Sequence, residues 1–183
     1  MKFHCLRCGN TLTKEKYNLF KCSKCNYEHF INPYPTTSVI IINEKGEIMF
    51  VKRKYPPKKG FWDLPGGFVD IGETGEDGAR REIKEELGIT LNEIFYLGAL
   101  PDKYLFQGIN LDTLTLSYYS KITNSKIKVS DDITGYKFFN EKGIPYNKLA
   151  FKNLSISIRK YLKLKNVIPD HSSCHSRESG NLL

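Results

Sequence analysis

The sequence predicts an α/β fold in which a β-sheet is sandwiched between two helices, preceded by a small cysteine-bounded unit. Three observations predict it. β-Rich runs alternate with turn residues between Thr37 and Phe139, helical periodicity appears twice, and two C-x-x-C pairs stand near the N-terminus. At 183 residues the chain holds one ordinary domain plus that short unit, and its 40% apolar and 13% aromatic content suffices for a packed core. No run approaches the ~20 apolar residues of a membrane-spanning helix. A protein of the cytoplasm is the default expectation.

The first unit spans residues 1–32. Cys5-Leu6-Arg7-Cys8 and Cys22-Ser23-Lys24-Cys25 have the spacing of a zinc ribbon, a tetrahedral four-thiolate site closed to substrate. Gly9 and Asn26 follow the two pairs and suit tight knuckle turns. Disulfides would need an oxidising compartment, yet no secretory apolar region precedes Cys5. A thioredoxin-like redox pair would sit on a longer α/β unit. The ribbon is too short to bury a core, so zinc, worth ~10–16 kcal/mol in comparable sites, is expected to fold it. His4 and His29 are surplus to a tetrahedron that four cysteines complete.

Asn32-Pro33-Tyr34-Pro35 reads as a rigid linker into a domain over residues 35–165. Thr37–Ile42 and Glu47–Lys52 flank an Asn43-Glu44-Lys45-Gly46 turn and predict a hairpin. Lys54–Gly60, with Pro56-Pro57, is a loop leading into a short aromatic strand segment at residues 60–63. Ile94–Leu100, Leu111–Ile122 and Tyr136–Phe139 complete the expected strands. Apolar residues at 151, 154, 158 and 162 predict an amphipathic helix over 149–162. From residue 166 the pattern lapses into a polar tail, residues 166–183, with His171, Cys174 and His175, which is expected to be disordered.

The other helix carries the chemistry. Thr74 with Asp77 three residues on predicts an N-cap, and Gly88 suits the position just past the C-terminus. At 100° per residue, Glu82, Glu85 and Glu86 fall within an arc of roughly 100°, beside an apolar stripe of Ala79, Ile83 and Leu87. Like charges so crowded repel by a few tenths of a kcal/mol per pair even when exposed. A hard divalent cation, Mg²⁺ or Mn²⁺, relieves that, and phosphates commonly complete its shell. The paired Gly66-Gly67 before the helix allows close backbone approach to a ligand. The net charge of +8 favours polyanionic ligands such as nucleotides and diphosphates, with RNA less favoured.

Gly67, Glu73, Arg81-Glu82-Ile83, Glu85-Glu86 and Gly88-Ile89 stand in a fixed register whose chance occurrence is on the order of 10⁻⁷ or less. In this register the chain resembles the Nudix hydrolases, and with its cysteines the zinc-ribbon-bearing members that cleave ADP-ribose or FAD. The resemblance implies an α/β/α sandwich. It implies a magnesium site built from Glu82, Glu85, Glu86 and the Gly67 carbonyl, with a supporting Glu73–Arg81 salt bridge. It implies hydrolysis of the diphosphate linkage of a nucleoside diphosphate derivative, giving a nucleoside monophosphate and a second phosphorylated product. The general base it allows is Glu85, favoured here, or Asp131 or Asp132. Arg53 is a candidate for a phosphate contact, and Phe61, Trp62 or Tyr104 for stacking the base. Leu100–Gly108 lacks the Ser-Gln-Pro-Trp-Pro-Phe-Pro motif of NADH pyrophosphatases, and position 104 is tyrosine where many ADP-ribose pyrophosphatases have proline. An NADH or dinucleoside polyphosphate hydrolase, an RNA-directed enzyme or nucleic-acid-binding module, and a non-catalytic scaffold are the competing readings, and homodimer formation is left open.

Overall fold

The computed structural model describes residues 2–123 and 126–167, so His171, Cys174, His175 and the tail from residue 168 lie outside the described residues. The chain divides into two compact units, Met1–Tyr34 and Pro35–Leu183. The first is an antiparallel meander of β1 (Leu12–Lys16), β2 (Leu19–Cys22) and β3 (Glu28–Phe30). Its buried residues are Cys5, Leu12 and Cys22, with Phe3, Phe20, Cys25 and Tyr27 packed against them. Two of three fully buried positions are thus thiols, and apolar burial alone supplies little stability to a unit this small.

The second unit is built on one sheet. Its strands are β4 (Tyr34–Ile42), β5 (Ile48–Arg53), β6 (Trp62–Asp63), β7 (Phe95–Phe106), β8 (Ile109–Lys121) and β9 (Ile133–Phe139). They run in the order β6-β5-β4-β8-β7, with β9 also paired to β5 in antiparallel register from Ile48↔Phe139 to Arg53↔Ile133. The helices are α1 (Gly75–Leu87) and α2 (Lys152–Val167). Residues of the central strands alternate between two cores. Val39, Ile41, Met49 and Val51 pack with Ala79, Ile83 and Leu87 of α1. Ile40, Ile42, Ile48 and Phe50 pack with Leu154, Ile158 and Tyr161 of α2. A strand covered on both faces has no solvent side, so Val39-Ile40-Ile41-Ile42 is apolar without interruption. Burying each such side chain is worth ~1.5–3 kcal/mol. The architecture is therefore a mixed α/β fold with one helix on each face of the sheet.

Several boundaries differ from expectation, among them the start of β9, which is Ile133 and not Tyr136. The linker over residues 32–35 is partly strand: β4 begins at Tyr34, and Pro35 accepts a hydrogen bond from Val69 N at 3.1 Å. The strand expected at 94–100 continues to Phe106, straight through Pro101. β7 ends the sheet order, and an edge strand tolerates a proline that a central strand would not. Gln107 (φ 47°) and Gly108 (φ 81°) then form a two-residue hairpin into β8. Finally, the helix expected over 149–162 runs from Lys152 to Val167, starting three residues later and ending five residues later. Among the described residues no helix is long and apolar enough to cross a membrane.

Candidate active site and thiolate cluster

Helix α1 is fixed at both ends before any ligand is considered. Thr74 Oγ1 accepts from Asp77 N at 3.1 Å while the Asp77 side chain accepts from Thr74 N, a reciprocal capping box. Gly88 closes the other end in the left-handed region (φ 66°), its N–H donating to Lys84 O. With Ala79, Ile83 and Leu87 buried against the sheet, Glu82, Glu85 and Glu86 are left on the flanks that adjoin the Gly66-Gly67 turn. Gly66, at φ 143°, is sterically required by the backbone of β4, whereas a side chain at Gly67 would displace the Glu82 carboxyl. A Cβ on Gly66 would lie 2.4 Å from the Thr37 carbonyl oxygen, and one on Gly67 would lie 2.5 Å from the Glu82 carboxyl. This close approach lets Gly66 N donate to Glu86 Oε2 at 3.1 Å. Gly67 O accepts from Thr37 N at 2.7 Å, which ties the turn to β4.

Arg81 is the internal cation of this region. Its Nε and Nη2 donate to the two oxygens of Glu73 at 2.8 and 3.0 Å, and Nη2 also donates to Phe68 O at 2.9 Å. Its Nη1 donates to Glu82 Oε1 at 2.9 Å and to Glu85 Oε2 at 3.3 Å. The hydrogen bonds from Arg81 pull the Glu73 carboxyl below its ordinary range. Glu82 moves the opposite way, because burial outweighs its Arg81 contact and the charges of Glu85 and Asp70 add to it. Glu86 is pushed up to about 8, first by burial and then by the charges of Glu82 and Asp63, against the pull of the Gly66 amide. Lys84 is exposed on the helix.

The three glutamates are therefore close but not convergent. Glu82 and Glu85 turn toward Arg81, and Glu86 turns toward Gly66. Two half-buried carboxyls that resist ionisation, beside a turn with room for a ligand, have the donor chemistry of a hard-cation site. Oxygen ligands from Glu82, Glu86, Glu85 and the Gly67 carbonyl fit Mg²⁺ or Mn²⁺.

Beside the turn lies a cavity of about 150 Å³. Phe68, Tyr104 and Phe151 wall it, with the Phe68–Tyr104 and Tyr104–Phe151 ring centroids each 5.8 Å apart. Arg53 lines it too, its guanidinium 5.3 Å from the Phe151 ring centre. Every nitrogen of that guanidinium has a partner: Nε donates to Pro57 O at 2.8 Å, Nη1 to Asp63 Oδ2 at 2.7 Å, and Nη2 to Tyr104 Oη at 3.3 Å. Arg53 is thus held by the protein and shapes the cavity wall. Phe61 lies outside the lining, 37% exposed, with Lys58 Nζ 5.5 Å from its ring centre. Trp62 packs edge-on against Phe139 in the α2-side core. Asp131 and Asp132 sit on a segment tethered by Ser130 N to the Glu86 carbonyl at 2.8 Å, and the Asp131 carbonyl accepts from Lys54 Nζ.

Three residues that sequence reasoning passed over share this cavity: Asp63, Asp102 and Asn153. Asp63 is buried, and desolvation raises its carboxyl despite the Arg53 pair. Its signal was a lone acid between Trp62 and Leu64. Asn153 is a single amide on the buried face of α2, beside Leu154, Ser157, Ile158 and Tyr161. Asp102 gives no such signal, since it follows a proline in a polar segment.

In the first unit, Cys5, Cys8, Cys22 and Cys25 are brought together so that all four sulfurs lie within 4.8 Å of one another. The Cys5–Cys25 and Cys8–Cys22 separations are 3.6 and 3.5 Å, near the ~3.8 Å edge of a tetrahedron with ~2.3 Å zinc–sulfur bonds. Both knuckles have the same construction: Gly9 N donates to Cys5 O at 2.8 Å and Asn26 N to Cys22 O at 2.9 Å, with positive φ at Gly9 and Asn26. Desolvation opposes ionisation of Cys22, yet the amides of Cys25 and Lys24 pull its thiol down to about 6. His4 instead contacts Gly9 O, and His29 stacks on Tyr27. The four sulfurs form a cluster consistent with a structural zinc site.

Comparison with known proteins agrees with this geometry. Residues 33–159 match the NUDIX domain family. The chain is 35% identical over 128 residues to an ADP-ribose pyrophosphatase of Methanocaldococcus jannaschii, covering 69% of this chain and 72% of that one. It is 34% identical over 101 residues to an NAD-capped RNA hydrolase of Haemophilus influenzae, covering 53% of this chain but only 38% of that relative. A NUDIX hydrolase structure from Nitrosomonas europaea shares the fold with a TM-score of 0.67 at 22% identity, covering 90% of this chain and 92% of that one. The acidic helix, the glycine turn it touches and the matched domain together place this chain in the Nudix hydrolase family, whose members act on acid-anhydride phosphate bonds.

Proposed function

We propose that the protein hydrolyses the diphosphate linkage of a nucleoside diphosphate derivative, ADP-ribose or FAD in preference, to a nucleoside monophosphate and a second phosphorylated product. The observation that carries this reading is the pair of half-buried carboxyls, Glu82 and Glu86, set against a glycine turn that opens on a cavity. The likeness to an ADP-ribose pyrophosphatase over most of both chains supports the substrate class.

Glu82, Glu85, Glu86 and the Gly67 carbonyl are the ligands this reading assigns to Mg²⁺ or Mn²⁺. A cation held there would supply charge neutralisation for the diphosphate and a more acidic water. The chain's own groups do the rest. Glu73 and Arg81 brace the turn and the helix and keep Glu82 oriented. Gly66 N holds one Glu86 oxygen in place. Glu85, whose side chain is 61% exposed and whose 3.3 Å hydrogen bond is the longest that Arg81 makes, is the general base this reading favours. Cys5, Cys8, Cys22 and Cys25 hold zinc in a structural role.

The test is a panel of ADP-ribose, FAD, NADH, dinucleoside polyphosphates and NAD-capped RNA, scored for product with and without Mg²⁺. The proposal expects Mg²⁺-dependent turnover, greatest on ADP-ribose or FAD. Inactivity across the panel overturns it. The likeness to an NAD-capped RNA hydrolase supplies a second reading, which turnover of capped RNA alone would favour.

A further inference from the structure

We propose that the outward face of α2, with the segment that leads into it, binds the phosphate backbone of a single-stranded nucleic acid. The inference is independent of the diphosphate-hydrolysis reading, because none of the residues that carry it lines the cavity beside Gly66-Gly67.

The net charge of +8 is not shared evenly along the chain. Residues 136–167 carry eight lysines and arginines against one acid, Glu141, and so hold +7 of it. Residues 70–86, around α1, carry seven acids against three bases. The two helices cover opposite faces of the sheet, so the domain has an acidic side and a basic side. Helix α2 itself has no acid in its 16 residues. At 100° per residue, Lys152, Ile156, Arg159 and Lys163 fall within an arc of roughly 60°. Leu154, Ser157, Ile158 and Tyr161 are buried on the other side, and the four residues of the arc are exposed. Arg159 and Lys163, one turn apart, repel by a few tenths of a kcal/mol, so the strip is kept at a small cost to the helix. Its cations are free for a partner. The ion pairs of the described residues lie elsewhere, at Lys21, Arg53, Arg81 and Lys103.

The positive charge continues off the helix, over aromatic rings. Arg159 Cζ lies 5.2 Å from the Tyr146 ring centre, Lys137 Nζ 5.0 Å from that of Phe139, and Lys52 Nζ 5.9 Å from that of Trp62. All three rings pack into the α2-side core, so these cations stand on the basic side. A membrane surface would need apolar side chains to insert, and within this arc Ile156, 52% exposed, is the one available. An acidic peptide would pair with the charges but has no use for the rings beneath three of them. A nucleic-acid strand uses both, phosphates against the cations and bases across the rings. Lys152 to Arg159 and Arg159 to Lys163 rise ~10 and ~6 Å along the axis, the span of two to three stacked nucleotides of ~3.4 Å each.

Binding of a labelled single-stranded RNA of about 20 nucleotides to the full chain is measured by fluorescence anisotropy between about 50 and 200 mM salt. The parent is expected to bind and to weaken roughly 20–50-fold over that range, the slope for three or four phosphates. Arg159→Glu combined with Lys163→Glu is expected to weaken binding at low salt at least ~10-fold and to flatten the slope. Arg159→Gln combined with Lys163→Gln is expected to fall between, and it decides the matter should the charge reversals lower the melting temperature. Lys14→Glu combined with Lys16→Glu makes the same change of charge at exposed positions of the first unit and is expected to stay within a few-fold of the parent. No RNA binding by the parent at the lowest salt, an unchanged slope in the α2 variants, or an equal loss in the first-unit pair overturns the assignment. So does tighter binding to phosphatidylserine vesicles or to poly-glutamate than to RNA, which gives the face to a membrane or to an acidic protein. Hydrolysis enters none of these outcomes, so failure of the substrate panel and failure of this surface are told apart.

Discussion

The two candidate metal sites of this chain are built on opposite plans. The four thiols of the first unit already converge, with sulfur separations of 3.5 and 3.6 Å, and two of them, Cys5 and Cys22, are among that unit's three buried core residues. The carboxylates of α1 do not converge. Arg81 draws Glu82 and Glu85 one way and Gly66 draws Glu86 another, while the helix beneath them is secured by its caps and a large apolar core. In the first plan the candidate ligands are themselves part of the unit's small core. In the second, the carboxylates stand on a helix that its caps and core already secure.

The largest effect that tests this contrast is removal of the ribbon metal. Cys22→Ser is expected to lose bound zinc and, with it, stabilisation on the scale of ~10–16 kcal/mol that folds so small a unit. The second unit has two cores of its own and is expected to keep a cooperative melting transition and residual Mg²⁺-dependent turnover. Elemental analysis and amide exchange over residues 2–32 measure the first expectation, and calorimetry the second. Full zinc content with unchanged melting would remove the four-cysteine assignment.

Next in size is the loss of a ligand from α1. Glu82→Gln and Glu86→Gln keep shape and helix propensity while removing one charge each. Turnover should fall at least ~10²-fold, since one preorganised electrostatic group is commonly worth ~3–4 kcal/mol of a barrier. Lys84→Gln, an exposed neighbour on the same helix, should stay within a few-fold of the parent. Equal turnover by the glutamate and lysine variants at saturating Mg²⁺ would dismiss the carboxylate site.

How legible this contrast was in the sequence depends on whether one segment or several carry the feature. The thiol cluster and the acidic helix each follow from local spacing, and the caps at Thr74 and Gly88 are where their side chains and φ angle require them. The cavity is different. Asp63 comes from β6, Asp102 from β7 and Asn153 from α2, and only the sheet order brings them to one place. The extension of β7 to Phe106 was hidden by Pro101, which an edge strand tolerates, and by a Gln107-Gly108 turn that lacks the usual asparagine or aspartate. The helix boundary at Val167 was hidden because Lys165 and Asn166 extend α2 on its exposed side, where polarity carries no stop signal.

A third prediction uses pH. Glu86 has a folded pKa of about 8 against an ordinary 4.5, so it binds its proton more tightly in the folded, metal-free protein than in the unfolded chain. Its contribution is fully present below about pH 4.5 and is lost as pH rises through about 8. Between those limits the metal-free parent should lose stability relative to Glu86→Gln by on the order of 2 kcal/mol, less than the full shift implies because the carboxyl is only half-buried. Saturating Mg²⁺ should reverse the loss in the parent and do little in the variant. Denaturant midpoints at pH 5 and pH 8, with and without Mg²⁺, measure it; parallel pH profiles for the two proteins would mean that Glu86 titrates normally.

The smallest expected effect asks whether α1 is held independently of its metal. Thr74 Oγ1 accepts from Asp77 N at 3.1 Å and donates to Asp77 Oδ2 at 2.6 Å, and Thr74 N approaches the same carboxyl oxygen at 3.4 Å. Thr74→Ala removes the first two bonds and leaves an N-terminal amide of the helix without its side-chain partner. Such caps are worth ~1 kcal/mol. The loss should appear as a lower urea midpoint of equal size with and without Mg²⁺, because Ala79, Ile83 and Leu87 still fasten the helix to the sheet and the glutamates lie two turns or more beyond the cap. Turnover should remain within a few-fold of the parent. A midpoint shift that vanishes on adding Mg²⁺ would show that the cation, rather than the cap and the core, fixes the start of the helix, and the contrast between ligands that form a core and ligands on a helix already secured would no longer hold.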